Sequence, residues 1–183
     1  PFVVTCYSGQ TAGHAVFALR MLGYEAYSLK WGMSDWNNGL SATWSSHCGD
    51  ALTAPETTNN NDGLEAQAFP TELDDYDPDT VVEERVEEML AAGFQGIDYA
   101  TVAADPDAYF VMNYFGPADY LGAGSAGVPG HIPGAYQFTP KESLGMDQML
   151  ENLPADMPIV VYCWTGQTSS QVAAYLNCLG YEA

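Results

Sequence analysis

A repeat constrains this chain more than any other feature. Pro1–Ala26 reads PFVVTCYSGQTAGHAVFALRMLGYEA, Pro158–Ala183 reads PIVVYCWTGQTSSQVAAYLNCLGYEA, and the two align without a gap, Cys6 on Cys163. Each copy is an apolar β-rich run, a cysteine, a polar loop with one glycine, and an amphipathic stretch closing on Leu-Gly-Tyr. The run Phe2–Thr5 predicts a buried parallel strand, and the spacing of Ala15, Val16, Leu19, Met21 and Leu22 predicts a helix over Ala12–Leu22 that Gly23 stops. A strand that delivers a cysteine into a loop starting a helix is a plan for a reactive thiolate. Loop amides and the helix N-terminus both favour negative charge on sulfur.

The rest of the chain alternates in the same way. Ala26–Leu29 predicts a second short strand, so the first copy reads as a βαβ crossover, which is right-handed and implies a parallel sheet. Lys30–Asn38 carries Trp31 and Trp36, expected to cover an exposed edge of the core. From Gly39 to Asp79 the residues Ser, Thr, Asn, Asp and Pro crowd without periodicity, which predicts a linker. Val81–Ala92 is an amphipathic helix with Val82, Val86, Met89 and Leu90 on one side. Phe94–Ile97 predicts a short strand, Thr101–Ala108 a turn of helix broken by Pro106, and Tyr109–Asn113 a buried strand. Pro117–Leu121 predicts a short helix, Gly122–Gly127 a loop, Gly130–Phe138 a tight turn joined to a strand, and Met146–Leu153 a helix closed by Pro154. The fold class that follows is α/β, a parallel sheet covered by helices on both faces.

Charge excludes whole classes of partner. Four Lys+Arg against 24 Asp+Glu give a net charge of −20, and binding to nucleic acid or an anionic membrane needs clustered positive charge. No apolar run approaches the roughly 18 residues of a membrane span. The acidity gathers in Glu56–Glu88 and reads as a solvated face. Together with the polar linker and the scarcity of lysine, it favours a bacterial periplasmic or extracytoplasmic setting over the cytoplasm.

Four cysteines make no dense disulfide framework. Cys178 falls in a helical apolar pattern and reads as a small buried residue. Cys48, in Ser45–Asp50, has His47 and Asp50 beside it but no second spaced pair, so no metal is expected. His131 reads as a turn-holding hydrogen-bonding residue. His14 reads as a helix position that can come near the Cys6 sulfur.

The chemistry sits in the two loops, Cys6-Tyr7-Ser8-Gly9-Gln10-Thr11 and Cys163-Trp164-Thr165-Gly166-Gln167-Thr168. Curled around its first residue, such a loop directs several backbone N–H groups at the sulfur. Gly9 and Gly166 permit the turn. Thr11 and Thr168 are expected to add a hydroxyl donor and to cap the helix. Tyr7 and Trp164 are expected to wall the pocket.

These loops, the GHIPGA turn at 130–135, the Leu-Gly-Tyr helix ends at 22–24 and 179–181, and Tyr27–Met33 together resemble the rhodanese (sulfurtransferase) superfamily. The resemblance covers Pro1–Trp36 and about 96–183. It implies a rhodanese-like open parallel sheet with helices on both faces. It also implies a sulfurtransferase in which Cys163, and Cys6 in its own unit, carries sulfane sulfur as a persulfide. The sulfur passes from a small donor to a thiol or cyanide-like acceptor, with no cofactor and no metal. On that reading residues 1–38 are the C-terminal half of one unit, 39–79 a linker, and 80–183 a second unit short of its last strand. The chain then reads as a fragment of a tandem rhodanese-domain protein in which residues 1–36, or a second copy through swapped packing or a homo-oligomer, supply the missing strand. Two departures stand out. Asn113-Tyr114-Phe115 occupies the place of the family's Asp-x-Arg pair, and neither loop contains Arg or Lys. Both departures keep a second reading in view, a catalytically idle rhodanese-like binding or regulatory module. The second also argues against phosphatase or arsenate reductase chemistry, whose loop ends in Arg.

Overall fold

The computed structural model of the protein describes residues 1–48, 61, 63–70, 76–124 and 130–183. Its first unit is β1 (Phe2–Val4), α1 (Gln10–Met21) and β2 (Ala26–Ser28). The two strands pair in parallel, Phe2 opposite Ala26 and Val4 opposite Ser28, as the βαβ reading requires. The strand is not buried, however. Phe2 and Val3 are 53% and 68% exposed, because among the described residues this sheet has only two strands and α1 packs against it without enclosing it.

Short helices follow at α2 (Met33–Trp36) and α3 (Ala42–Ser45), with a 3-10 turn at Asn38–Leu40 between them. Trp36 covers no core edge; it projects into solvent, and Trp31 is also exposed. Of the expected linker, residues 49–60, 62 and 71–75 lie outside the described residues. Described parts of it lie against the second unit. Asn61 donates to the Tyr120 hydroxyl and to the Gly134 carbonyl, Leu64 packs on the core, and the Gln67 amide bonds the Glu151 carbonyl at 2.6 Å.

The second unit opens with α4 (Val81–Ala92), whose bounds match the sequence reading. Val86 and Met89 face inward, whereas Val82 and Leu90 are exposed, so the apolar stripe is narrower than the periodicity implies. Phe94–Ile97 is not a strand. Gly93, at φ +78°, ends α4 there, and the Phe94 ring meets His14 edge-on at 6.2 Å instead of joining a sheet. Then come α5 (Tyr99–Ala104), a 3-10 turn at Pro106–Ala108, β3 (Phe110–Asn113), α6 (Pro117–Tyr120) and β4 (Tyr136–Gln137). Part of the Gly122–Gly127 loop lies outside the described residues. Met146–Leu153 yields only a 3-10 turn at Met149–Asn152, followed by β5 (Ile159–Tyr162) and α7 (Gln167–Cys178).

β3 is central in a second parallel sheet of order β4-β3-β5. The period of two sorts its side chains. Phe110, Met112 and Ile159 point to the core shared with Leu150, Leu153, Val172 and Leu176, while Val111 points to Val102 and Ala135 on the other face. Helices on both faces and parallel strands make this an α/β protein, as expected.

Residues 1–36 do not complete that sheet. β1 and β2 pair with each other, and the two units meet through helices instead: Ala18 of α1, Val86 and Met89 of α4, and Ala174 and Cys178 of α7 form one buried cluster. Gly13 makes the close approach of α1 and α7 possible, since a Cβ there would lie 2.5 Å from Ser170 Oγ and 2.8 Å from the Gln167 carbonyl oxygen. The repeat persists in the hydrogen bonds. Phe2 N to Glu25 O and Ile159 N to Glu182 O are both 2.7 Å, and the helix ends close alike, Tyr24 N on Leu19 O and Tyr181 N on Leu176 O.

Candidate functional site

Each cysteine stands where a strand ends, and each loop turns on its glycine. Gly9 (φ +89°) and Gly166 (φ +78°) are the N-cap residues of α1 and α7 in left-handed conformation, which a residue with a Cβ adopts at a cost. No side chain caps either helix. Thr11 and Thr168 therefore do not cap; α1 starts at Gln10, two residues before the expected Ala12, α7 starts at the matching Gln167, and both take their threonines inside.

The sulfurs are served differently. Cys6 Sγ accepts the Gly9 amide at 3.1 Å. Partial burial pushes the Cys6 thiol up, but the Thr11 hydroxyl and the amides of Ala12, Gly9 and Ser8 outweigh it, and its pKa lies below the ordinary thiol value. Thr11 thus supplies the expected hydroxyl although it does not cap. Cys163 Sγ accepts one amide, Ser169 N at 3.3 Å, the counterpart of Ala12 in the other copy.

A strap after β2 backs the Cys6 loop. Met33 N bonds the Cys6 carbonyl at 2.8 Å, and Ser34 donates to the Tyr7 carbonyl through both its amide and its hydroxyl, at 3.1 and 2.7 Å. Gly32 makes this contact possible, because a Cβ there would run into the backbone of Cys6, Tyr7 and Gly9. Trp31 beside it is left-handed at φ +57°, an outlier for a bulky residue.

Both glutamine side chains reach across to the opposite copy. Gln10 Nε2 donates to the Thr165 carbonyl at 2.9 Å. Gln167 Nε2 donates to Ser28 Oγ and the Leu29 carbonyl at 2.8 and 2.9 Å, and its Oε1 accepts the Trp31 amide at 3.1 Å. Sequence reasoning placed both in the substrate loops and missed this use; the signal was a glutamine kept at the same place in both copies.

Tyr7 and Trp164 are 60% and 51% exposed, and Trp164 leans on Phe115 with ring centroids 4.7 Å apart. Neither closes a pocket over its sulfur. A cavity of about 260 Å³ instead touches both loops through Ser8 and Thr165, with Trp31, Trp44, Ser34, Ser41 and Asp35 completing its walls. Lys30 Nζ sits 4.3 Å from the Trp31 ring centre. A larger cavity, about 420 Å³, lies between residues near Asn61, Tyr120 and Met149 and contains no loop residue.

Below the Cys163 loop, the buried Asn113 donates to the Tyr162 hydroxyl at 2.7 Å and accepts the Phe115 amide at 3.1 Å, while the Ile132 amide also reaches Tyr162 Oη at 3.1 Å. Asn113 thereby ties β3, β5 and the 130–135 turn together without charge. The family model of the rhodanese-like domain matches residues 103–183. This segment is a rhodanese-like domain. Its 130–135 turn is held as expected by His131, whose Nδ1–H donates to the Tyr120 carbonyl at 2.7 Å while its ring stacks on Tyr120. No curated protein and no solved structure is similar enough to the chain to match it.

The remaining candidates fall into place. His14 is on the buried face of α1 against Phe94, and burial lowers its pKa. Cys178 is buried and its thiol is pushed up to about 11, chiefly by that burial. Cys48 is exposed, and its thiol reaches the Trp44 carbonyl at 3.4 Å. Among the described residues no group of His, Cys, Asp and Glu is placed to hold a metal ion, and no helix is long and apolar enough to cross a membrane.

Proposed function

We propose that the protein is a sulfurtransferase that moves sulfane sulfur through a cysteine persulfide, with Cys6 and Cys163 as the nucleophiles. The observation that carries this reading is the pair of thiols at the mouths of left-handed glycine loops, each accepting backbone N–H at 3.1 or 3.3 Å. Those donors favour a thiolate before transfer and the terminal sulfur anion after it.

The thiolate attacks the outer sulfur of the donor; a new S–S bond forms on the cysteine as the donor's S–S bond breaks, and the donor leaves with the bonding pair. A thiol or cyanide-like acceptor then attacks the outer sulfur of the persulfide, breaking the S–S bond and returning the thiolate, so the cycle has no net oxidant or reductant. Main-chain amides and the hydroxyls of Ser8, Thr11, Thr165 and Thr168 are polar groups these loops offer. The cavity beside them, with two indoles and one carboxylate, suits an uncharged or cationic acceptor better than an anionic one. Residues 1–38 act as the second half of one rhodanese unit and 80–183 as another, joined by 39–79; the mirrored hydrogen bonds of the two copies support that division.

The test is intact-mass spectrometry after incubation with thiosulfate and, separately, with a low-molecular-weight persulfide. One added sulfur atom per reactive cysteine, removable by cyanide and lost site by site in Cys6→Ser and Cys163→Ser, is the expected result. No added sulfur with either donor overturns the assignment and leaves the idle binding module.

A further inference from the structure

We propose that Gln10 and Gln167 are crossed positioning residues: each belongs by sequence to one cysteine loop and orders the loop of the other. Gln10 follows Cys6 by four residues, yet its side-chain amide holds the carbonyl of Thr165, two residues after Cys163. Gln167 follows Cys163 by four residues, yet both ends of its carboxamide go to the other copy. Nε2 bonds Ser28 and Leu29, and Oε1 takes the Trp31 amide. That is the strap whose next residue, Gly32, lies against the backbone of Cys6 and Gly9.

The glycines show how tightly the two halves interlock. A Cβ on Gly9 would stand 2.5 Å from Gln167 Nε2, and one on Gly166 would collide with Gln10 Nε2. Each glycine therefore serves twice, as the left-handed turn of its own loop and as the seat of the opposite glutamine. Trp31 adds a reason for Gln167 in particular. A bulky residue at φ +57° needs its surroundings to hold it, and the bond from its amide to Gln167 is one such hold. Hydrogen bonds across the repeat engage Gln10 Nε2 and both ends of Gln167, so both side-chain donors are already used.

This assignment rests on the persulfide reading for the working role of the two cysteines, but its test uses no sulfur donor. The full chain carrying Q10M or Q167M is alkylated with iodoacetamide across a pH range, and the rate at Cys6 and at Cys163 is read separately by peptide mass spectrometry. Q10M is expected to change the Cys163 rate by about fivefold, the worth of one typical hydrogen bond, and to leave Cys6 alone. Q167M is expected to do the reverse. Q10K, which keeps a donor, restores Cys163. An effect confined to each variant's own loop, an equal effect on both cysteines, or no effect overturns the proposal. If circular dichroism shows a methionine variant unfolded, Q10E and Q167E remove the same donor at nearly the same volume and are read by the same criteria. Failure of persulfide loading leaves this result standing, and loss of the crossed pattern leaves persulfide loading standing.

Discussion

Gly32→Ala tests how the Cys6 loop is held. Gly32 sits at φ +61°, ψ −149°, a region that is essentially glycine's own, and forcing alanine there costs about 1–3 kcal/mol. The new Cβ would also lie 2.7 Å from Gly9 N and 2.9 Å from the Tyr7 carbonyl carbon, besides the Cys6 oxygen. All three are backbone atoms, which cannot rotate aside as a side-chain tip can, so overpacking adds about 1–3 kcal/mol. The sum is about 2–6 kcal/mol, and with roughly 2–4 °C per kcal/mol for a chain of this size the melting temperature should fall by about 5–20 °C. Gly23→Ala is the control. Gly23 is equally left-handed at φ +84°, but nothing lies within 4 Å of its would-be Cβ, so only the conformational cost of about 1–2 kcal/mol remains.

Stability alone does not locate the damage, so the second measurement is the pH dependence of Cys6 alkylation. The amide of Gly9 that the new methyl group displaces is the one bonded to Cys6 Sγ. The Cys6 titration in G32A should therefore move up toward an ordinary thiol. If G32A is no less stable than G23A and Cys6 titrates unchanged, the strap does not press on the loop and the account of the Cys6 donors is wrong.

Two further outcomes test the packing behind the loops. Arg85 donates from Nε to the Cys178 carbonyl at 2.9 Å and from Nη2 to the Asn177 carbonyl at 2.7 Å, and so closes the C-terminus of α7 from α4. Arg85→Ala should cost about 3 kcal/mol in urea unfolding and Arg85→Lys should recover little of it, because an ammonium cannot reproduce the planar fork; a loss under about 1 kcal/mol would refute the cap. Cys178 is pushed up to about 11 mainly by burial, with Glu88 adding to the shift and Arg85 opposing it. The unfolded thiol ionises at lower pH. Stability is therefore full below the ordinary thiol value and falls as pH rises toward 11, by about 3 kcal/mol in all. The difference in urea midpoint between Cys178→Ala and the parent should narrow over that range, and a constant difference would contradict the burial argument.

Local periodicity and short-range turn chemistry were legible in the sequence wherever they decide the outcome alone. α4 begins and ends as read because its periodicity and its Gly93 stop are local, and β3 is buried on both faces as its unbroken apolar run implies. What failed depends on partners. Phe2–Val4 has the composition of a buried strand, but burial needs a neighbour on its free edge, and among the described residues only β2 pairs with it. Phe94–Ile97 is apolar enough for a strand, yet Phe94 meets the ring of His14, a residue eighty positions earlier, which no window of sequence contains. Met149–Asn152 closes as a 3-10 turn because the Met149 amide is drawn to the Ser143 carbonyl, a bond set by the preceding loop.

The site shows the same limit more sharply, since the two loops are near copies and their thiols are not in equal settings. Both carry glycine at the fourth position and threonine at the sixth, and both glycines turn left-handed, so the curl itself is written in the residues. The donors are not. Cys6 Sγ accepts the Gly9 amide from within its loop, and Met33 and Ser34 pin the outer carbonyls of Cys6 and Tyr7. Cys163 receives one amide, and its loop is pinned instead at Thr165 by Gln10. The groups that brace each loop thus differ although the loops' own letters agree. A sequence pattern can nominate a sulfur cradle, but the strap and the opposite glutamine that brace it are contacts between distant residues, which no local pattern contains.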